Sequence, residues 1–150
     1  MEKTFLKIGV LLMTCLSLNS CATYLISPDS LKAQFSNIDS SKLIPVIVQG
    51  PVGERYNYLA NPITVIKCTD KNGNQIGLNN SPAIEMRVTD INNKKTIFYF
   101  DRIFVSNTSL TGVRSRFISS ITKTIPLKDI IKIEVQDGGK KFKYLDRHGL

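Results

Sequence analysis

From residue 45 onward, the chain consists of short apolar or alternating runs separated by turn residues, and this pattern constrains the fold most strongly. Residues 63–68 are rich in β-branched side chains, and Asn72-Gly73 behind them is a preferred pair for a tight hairpin turn. Residues 83–88 alternate between apolar and polar side chains, as a half-buried strand does. The pattern predicts an all-β domain over residues 45–150, either a small antiparallel sandwich or a barrel-like meander.

Several other runs fit the same fold. Strands are predicted at residues 45–48, 97–100, 103–105 and 117–125, with a break near Asp101-Arg102 and one helical turn at residues 126–129. A second helix of useful length is not evident, which argues against a parallel α/β fold.

The clearest alternation lies near the C-terminus, on both sides of the turn residues 137–139. Before the turn, apolar side chains (Ile131, Ile133, Val135) alternate with charged ones (Lys132, Glu134). After it, residues 141–144 alternate again, with Lys141 and Lys143 on one face. The pattern predicts a terminal hairpin with one solvated face.

The first 20 residues have the features of a signal peptide. Lys3 and Lys7 provide a basic start, and residues 8–18 form an apolar run of 11 residues. A helix of that length rises roughly 16 Å, which is too short for a hydrocarbon core of about 30 Å. The segment therefore predicts export rather than a membrane span.

The run ends in Leu18-Asn19-Ser20-Cys21, which resembles the lipobox of bacterial lipoproteins. The resemblance implies that the Cys21 thiol receives a diacylglycerol, that a dedicated peptidase cuts between Ser20 and Cys21, and that the new amino group is acylated, commonly with palmitate. Two acyl chains are enough for stable anchoring. Ala22 lacks the aspartate that signals inner-membrane retention in enteric bacteria, so the outer membrane is the expected location.

Residues 21–44 are predicted to be a lipidated cysteine and tether, because they are rich in Ser, Asn and Asp. One short helix is expected within them, with Ser27 as its cap and Pro28 at its first position. Leu31 and Phe35 would then share a face. Asp29-Ser30-Leu31 also resembles the O-glycosylation sequon of Bacteroidota envelope proteins.

Catalytic and metal-binding groups are sparse. Asp70, Asn72 and Asn74 have the spacing of a calcium loop, but Gln75 and Ser81 occupy the places that require Gly and Glu, so a hairpin turn is predicted. His148 is the single histidine and lies two residues from the end, where a catalytic imidazole is rarely held firmly.

Cys68 is the single cysteine after Cys21, so it can form no disulfide within the mature chain, and its β-rich surroundings predict a buried, inert thiol. Asp101, Asp129 and Glu134 are dispersed carboxylates whose distances the sequence does not give.

Charge is distributed unevenly along the chain. Residues 22–93 contain six basic and six acidic residues, whereas residues 94–150 contain twelve basic and five acidic ones. The excess predicts a surface for anionic lipid or lipopolysaccharide, with Lys132, Lys141 and Lys143 as contacts. A solvated face whose lysines protect strand edges is the alternative. Nucleic acid is a poor candidate for an exported chain.

Together these features predict a lipid-anchored cell-envelope protein with a non-catalytic binding or scaffolding role, without a cofactor or metal. An envelope hydrolase that uses the dispersed carboxylates is one alternative. A subunit of an export or assembly complex, with an envelope protein as partner, is another.

Overall fold

A computed structural model describes residues 22–147, where the chain forms twelve strands in three antiparallel sheets, one α-helix and three short 3-10 helices. The strands are β1 (Thr23–Ile26), β2 (Ile44–Gln49), β3 (Arg55–Ala60), β4 (Val65–Thr69), β5 (Gln75–Asn79), β6 (Ile84–Asp90), β7 (Lys95–Tyr99), β8 (Ile103–Val105), β9 (Ser109–Val113), β10 (Thr122–Pro126), β11 (Ile130–Asp137) and β12 (Lys143–Arg147). Helix α1 is Pro28–Phe35, and the 3-10 helices are Ser40–Lys42, Phe100–Arg102 and Leu127–Asp129. The predicted all-β class is confirmed in its sandwich-like form.

The largest sheet has six strands in the order β5-β4-β1-β11-β6-β7. At one end, its register places Thr23 beside Gln136, Gln136 beside Glu85, and Glu85 beside Tyr99. We call the end marked by this row the proximal end. The opposite end, where Ile130 pairs with Asp90, is the distal end.

The main core lies between one face of this sheet and a layer formed by α1 and the sheet β10-β9-β8. Leu31 and Phe35 of α1 are buried there, and the Phe35 and Phe100 ring centroids lie 6.2 Å apart. Strand β9 approaches β7 closely at Gly112, where an added Cβ would lie 2.5 Å from the Phe98 ring. Only a residue without a side chain fits at that crossing.

The third sheet, β12-β2-β3, has its own smaller core. Val46, Val48, Ala60 and Phe142 are buried on its inner face, with tyrosines packed around them. A polar junction joins this sheet to the rest of the fold.

The tether prediction is wrong from Thr23 onward. Strand β1 is an interior strand that pairs with both β11 and β4. The predicted short helix is confirmed, and the Ser30 N–H donates to Ser27 Oγ at 3.1 Å, as expected for the cap. The alternating burial of only four residues is too short to identify a strand locally, which explains the error.

The predicted terminal hairpin is also wrong. Strand β11 pairs with β1 and β6, whereas β12 pairs with β2 in another sheet. Ile131 is exposed rather than buried, because the register between β11 and β6 shifts between Ile130 and Lys132. Such a bulge changes which face the next side chains occupy.

The predicted strand over residues 117–125 is shorter than expected. Strand β10 begins at Thr122, and residues 114–121 form the loop that joins β9 to β10. Strands β3 and β9 were not predicted. The turn at Asn72-Gly73, the break at residues 100–102 and the helical turn at residues 127–129 agree with the prediction from sequence.

Candidate functional site

The most polar buried point of the fold is the Asp101 carboxylate, in the 3-10 helix that follows β7. Its Oδ2 accepts hydrogen bonds from the hydroxyls of Tyr58 and Tyr144, the second at 3.1 Å. Its Oδ1 accepts from Arg116 Nη2 at 3.4 Å, which makes a buried ion pair. A carboxylate so enclosed is held by partners from β3, β12 and the β9–β10 loop.

Arg116 is the cation of this network and comes from the loop of residues 114–121. Its Nη1 donates to the Tyr58 hydroxyl at 2.8 Å. Its Cζ lies 3.9 Å from the Tyr99 ring centroid and 5.0 Å from that of Phe142. Aromatic faces stabilise a desolvated guanidinium, so the burial of this charge is compensated on several sides.

Burial raises the pKa of both Tyr58 and Tyr144, and the negative charge of Asp101 raises it further. The two hydroxyls therefore stay protonated at neutral pH and act as donors. Because the partners come from separate sheets, the network fixes the third sheet against the other two. The network is therefore a structural junction, because the Asp101 carboxylate is buried away from solvent.

A second set of bonds supports the junction at the chain connection after β3. Asn61 Nδ2 donates to the Phe100 carbonyl oxygen at 2.7 Å. Arg147 Nη2 donates to the carbonyl oxygens of Asn61 at 3.0 Å and Ile63 at 2.7 Å. These bonds tie the segment after β3 to the 3-10 helix at Phe100 and to β12.

The three dispersed carboxylates do not converge. Asp129 lies in the 3-10 helix before β11, where its carbonyl oxygen accepts from the Ile91 N–H at the distal end. Glu134 forms ion pairs with Lys132 at 2.8 Å and Arg87 at 3.8 Å. The hydrogen bond from Lys132 lowers the pKa of Glu134. Asp101, by contrast, is buried on the inner side, so these three residues do not form a hydrolytic pair.

The other candidate residues have structural roles where the structure describes them. Asp70 accepts hydrogen bonds from the Asn74 side-chain amide at 3.0 Å and from the backbone N–H groups of Asn74 and Asn72 within the hairpin turn, and these bonds lower the Asp70 pKa. Cys68 is a buried free thiol whose pKa is raised by burial, as predicted. Among residues 22–147, no cluster of three or more His, Cys, Asp and Glu could hold a metal. His148, Ser20 and Cys21 lie outside the described residues.

Three open grooves lie on the surface of the described domain. The most apolar has a volume of about 450 Å³ and lies along β2 and β3, where Pro45, Ile47 and Leu59 line it. Another, of about 410 Å³, lies beside α1 and is lined by Gln34, Ile63 and other residues. The third, of about 290 Å³, lies between α1 and the end of β8. Asp101 lines none of these three grooves.

The lysines predicted to contact an anionic surface do not lie on paired strands of one hairpin, since Lys132 belongs to the large sheet and Lys143 to the third sheet. Lys132 pairs with Thr89, four residues along β11 from the proximal row, which corresponds to about 13 Å. Lys141 and Lys143 are exposed on either side of Phe142, and that ring contacts Arg116. Sequence alternation grouped them because it assumed the hairpin that the fold does not contain.

A cluster of exposed apolar side chains occupies the loop of residues 114–121. Phe117, Ile118 and Ile121 are 72%, 51% and 41% exposed, respectively. The Phe117 ring centroid lies 5.7 Å from that of Tyr56, in an edge-to-face arrangement. Residues 117–121 lie in this loop and not in the strand predicted over residues 117–125, and their apolar character is the one sequence signal that marks them.

No helix within residues 22–147 is long and apolar enough to cross a membrane. No protein-family profile matches the chain, and no curated protein or solved structure has significant similarity to it.

Proposed function

We propose that this protein is a lipid-anchored component of the cell envelope with a non-catalytic binding or scaffolding role. The observation that carries the proposal is Leu18-Asn19-Ser20-Cys21 at the end of an apolar run of 11 residues. The sequence fits the acceptor site for a diacylglycerol, and two acyl chains on one cysteine are sufficient for stable membrane attachment.

The position of the first strand is compatible with this proposal. Strand β1 begins at Thr23, so a single residue, Ala22, separates the acceptor cysteine from the sheet. A non-catalytic role is supported by the Asp101 network, in which the carboxylate is buried and bonded to Tyr58, Tyr144 and Arg116. We place the protein in the outer membrane, because Ala22 does not match the inner-membrane retention signal of enteric bacteria.

The test is the mass of the N-terminal peptide of the full chain expressed in a bacterium. The natural chain should yield a peptide that begins at Cys21 and carries diacylglycerol and an amide-linked acyl chain. Cys21→Ser should remain uncut and unacylated, because the transferase uses a thiol. Cys15→Ser is the matched control, and it should be processed like the natural chain.

Two outcomes would contradict the proposal. Cleavage at another position without acylation would show an ordinary exported protein. Acylation of the Cys21→Ser variant would show that the lipid is attached elsewhere.

A further inference from the structure

We propose that the loop of residues 114–121 is a second membrane contact, in which Phe117 and Ile118 enter the interfacial region of the leaflet that holds the lipid anchor. This inference rests on the proposed lipidation of Cys21. The contacting groups are the exposed apolar side chains of the loop and the neighbouring lysines Lys141 and Lys143.

The anchor holds the proximal end of the large sheet close to the bilayer. Two residues of extended chain span at most about 7 Å, so Cys21 lies within that distance of Thr23. Thr23 is the first residue of β1 and a member of the proximal row. The surface around this row is therefore the part of the domain that a lipid on Cys21 brings nearest to the head groups.

The loop lies at this same end. Tyr99 is three strands from Thr23 in the row, and strands are spaced about 4.8 Å apart, which places its backbone about 14 Å from that of Thr23. Arg116 packs on the Tyr99 ring at 3.9 Å, and Phe117 follows it in the chain.

The course of β9 and β10 agrees with this placement. Leu127, which follows β10, bonds to Thr108, which precedes β9, and the chain then enters β11 at the distal end. Lys123, near the start of β10, bonds through Nζ to Thr96 of β7 at 2.9 Å. The hairpin therefore runs from the distal end toward the proximal end, and its loop extends past Tyr99.

The composition of this end suits an anionic bilayer surface. Phe117, Ile118 and Ile121 expose apolar groups, which gain from transfer out of water. Lys141 and Lys143 are exposed on either side of Phe142, whose ring contacts Arg116 of the loop, and they can contact lipid phosphates.

Three acidic side chains of this region already have partners. Glu85 is paired with Lys140 at 2.7 Å, Asp137 Oδ1 accepts from the Gly139 N–H, and Asp70 closes its own turn. Among the described residues, none of these three carboxylates forms an ion pair with Lys141 or Lys143, although Asp137 and Asp70 keep their negative charge.

The chain contains no tryptophan, so a single Phe117→Trp substitution gives a depth reporter without background. The lipidated variant would be placed in vesicles of anionic and zwitterionic lipids that carry brominated acyl chains. Ile91→Trp is the matched control, because Ile91 is 57% exposed in the turn at the distal end. Brominated lipid should quench the Phe117→Trp variant at least threefold more than the Ile91→Trp variant, whereas aqueous iodide should quench the Ile91→Trp variant more strongly.

The result that overturns the inference is equal iodide quenching of both variants without bromine quenching of Phe117→Trp. The loop would then be a surface for a protein partner or plain solvent. The N-terminal mass of the same samples separates this failure from failure of the proposed function. If Cys21 is acylated but the indole of the Phe117→Trp variant remains in water, the loop contact alone is refuted. If Cys21 is not acylated, both the anchor and the loop contact are refuted.

The part played by the lysines is tested in the Phe117→Trp background. Lys141→Gln with Lys143→Gln should reduce bromine quenching in anionic vesicles at low salt, and Lys132→Gln should not. Equal bromine quenching in all of these variants would show that Lys141 and Lys143 do not contribute to binding of the lipid head groups.

Discussion

Replacement of Asp101 by asparagine should destabilise the domain strongly, because it removes the charge that faces Arg116 while keeping the side-chain size. Both side chains of the ion pair are almost fully buried, and their closest atoms are 3.4 Å apart. A guanidinium left in that environment without a counter-charge typically costs about 3–5 kcal/mol. Asparagine also offers a weaker acceptor to the hydroxyls of Tyr58 and Tyr144.

The reverse change, Arg116→Met, should cost less, near the lower limit of about 3 kcal/mol. Asp101 would keep both tyrosine hydroxyls as donors, and methionine would still fill the space between the rings of Tyr99 and Phe142. In the double variant neither charge remains to be desolvated. The combined loss should therefore be smaller than the sum of the two single losses by about 2–3 kcal/mol.

Urea denaturation of the chain from Ala22 onward measures these differences. A domain of this size has an expected slope of about 1–3 kcal/mol per molar urea, so a loss of about 3 kcal/mol shifts the midpoint by about 1 M or more. Lys132→Gln is the surface control, because the Lys132–Glu134 pair at the surface should contribute less than about 1 kcal/mol. If Asp101→Asn is too unstable to purify, Tyr144→Phe removes a single hydrogen bond to the same carboxylate and should cost about 1 kcal/mol.

Additive losses would refute the reasoning. If the double variant loses the sum of the single losses within about 0.5 kcal/mol, the two residues do not interact energetically. A loss below about 1 kcal/mol for Asp101→Asn would show that Arg116 is solvated in solution and that the junction is open.

Three further predictions concern the core and its polar junction. The pKa values of Tyr58 and Tyr144 in the folded protein are raised above the ordinary value of 10.0, so the unfolded chain loses these protons first as the pH rises. The free energy of unfolding should therefore be constant below about pH 10 and fall above it by up to about 2.7 kcal/mol per pH unit. Urea midpoints between about pH 9 and 11.5, with phenolate absorbance, check this, and titration of all five tyrosines near pH 10 in the folded protein would contradict it. The Cys68 thiol is buried, so the chain from Ala22 onward should melt at the same temperature with and without reductant, and a large drop on reduction would reveal an intermolecular disulfide. Gly112→Ala should cost about 1–3 kcal/mol in urea denaturation, because its Cβ would lie 2.5 Å from the Phe98 ring, and a loss below about 0.5 kcal/mol would show that β9 can move away.

Local features of the fold could be read from the sequence because each depends on neighbours along the chain. The Ser27 cap and Pro28 define the start of α1 through bonds within one helical turn. Asn72-Gly73 defines the β4–β5 hairpin, since Gly73 adopts the positive φ of 85° that such a turn requires. The burial of Cys68 follows from alternation within β4.

The junction could not be predicted, because its members are far apart in sequence. Tyr58, Asp101, Arg116 and Tyr144 belong to different strands and loops, and no spacing marks them as partners. Asp101 was recognised only as an isolated carboxylate. Its burial and its two tyrosine donors are consequences of how the third sheet packs on the other two.

Strand partnership was likewise decided only by the tertiary structure. The alternation of residues 131–135 and 141–144 suits a hairpin, yet β11 pairs with β1, with residues 23 and 136 in register, and β12 pairs with β2. Alternation of apolar and polar residues indicates that a strand has a buried face. It does not identify the neighbouring strand to which that strand is hydrogen-bonded, because the backbone groups are the same in every residue except proline. The sequence by itself determined the strand-rich class, the capped helix and the short turns. Long-range packing determined that Thr23 starts an interior strand and that the loop carrying Phe117 lies at the same end of the sheet.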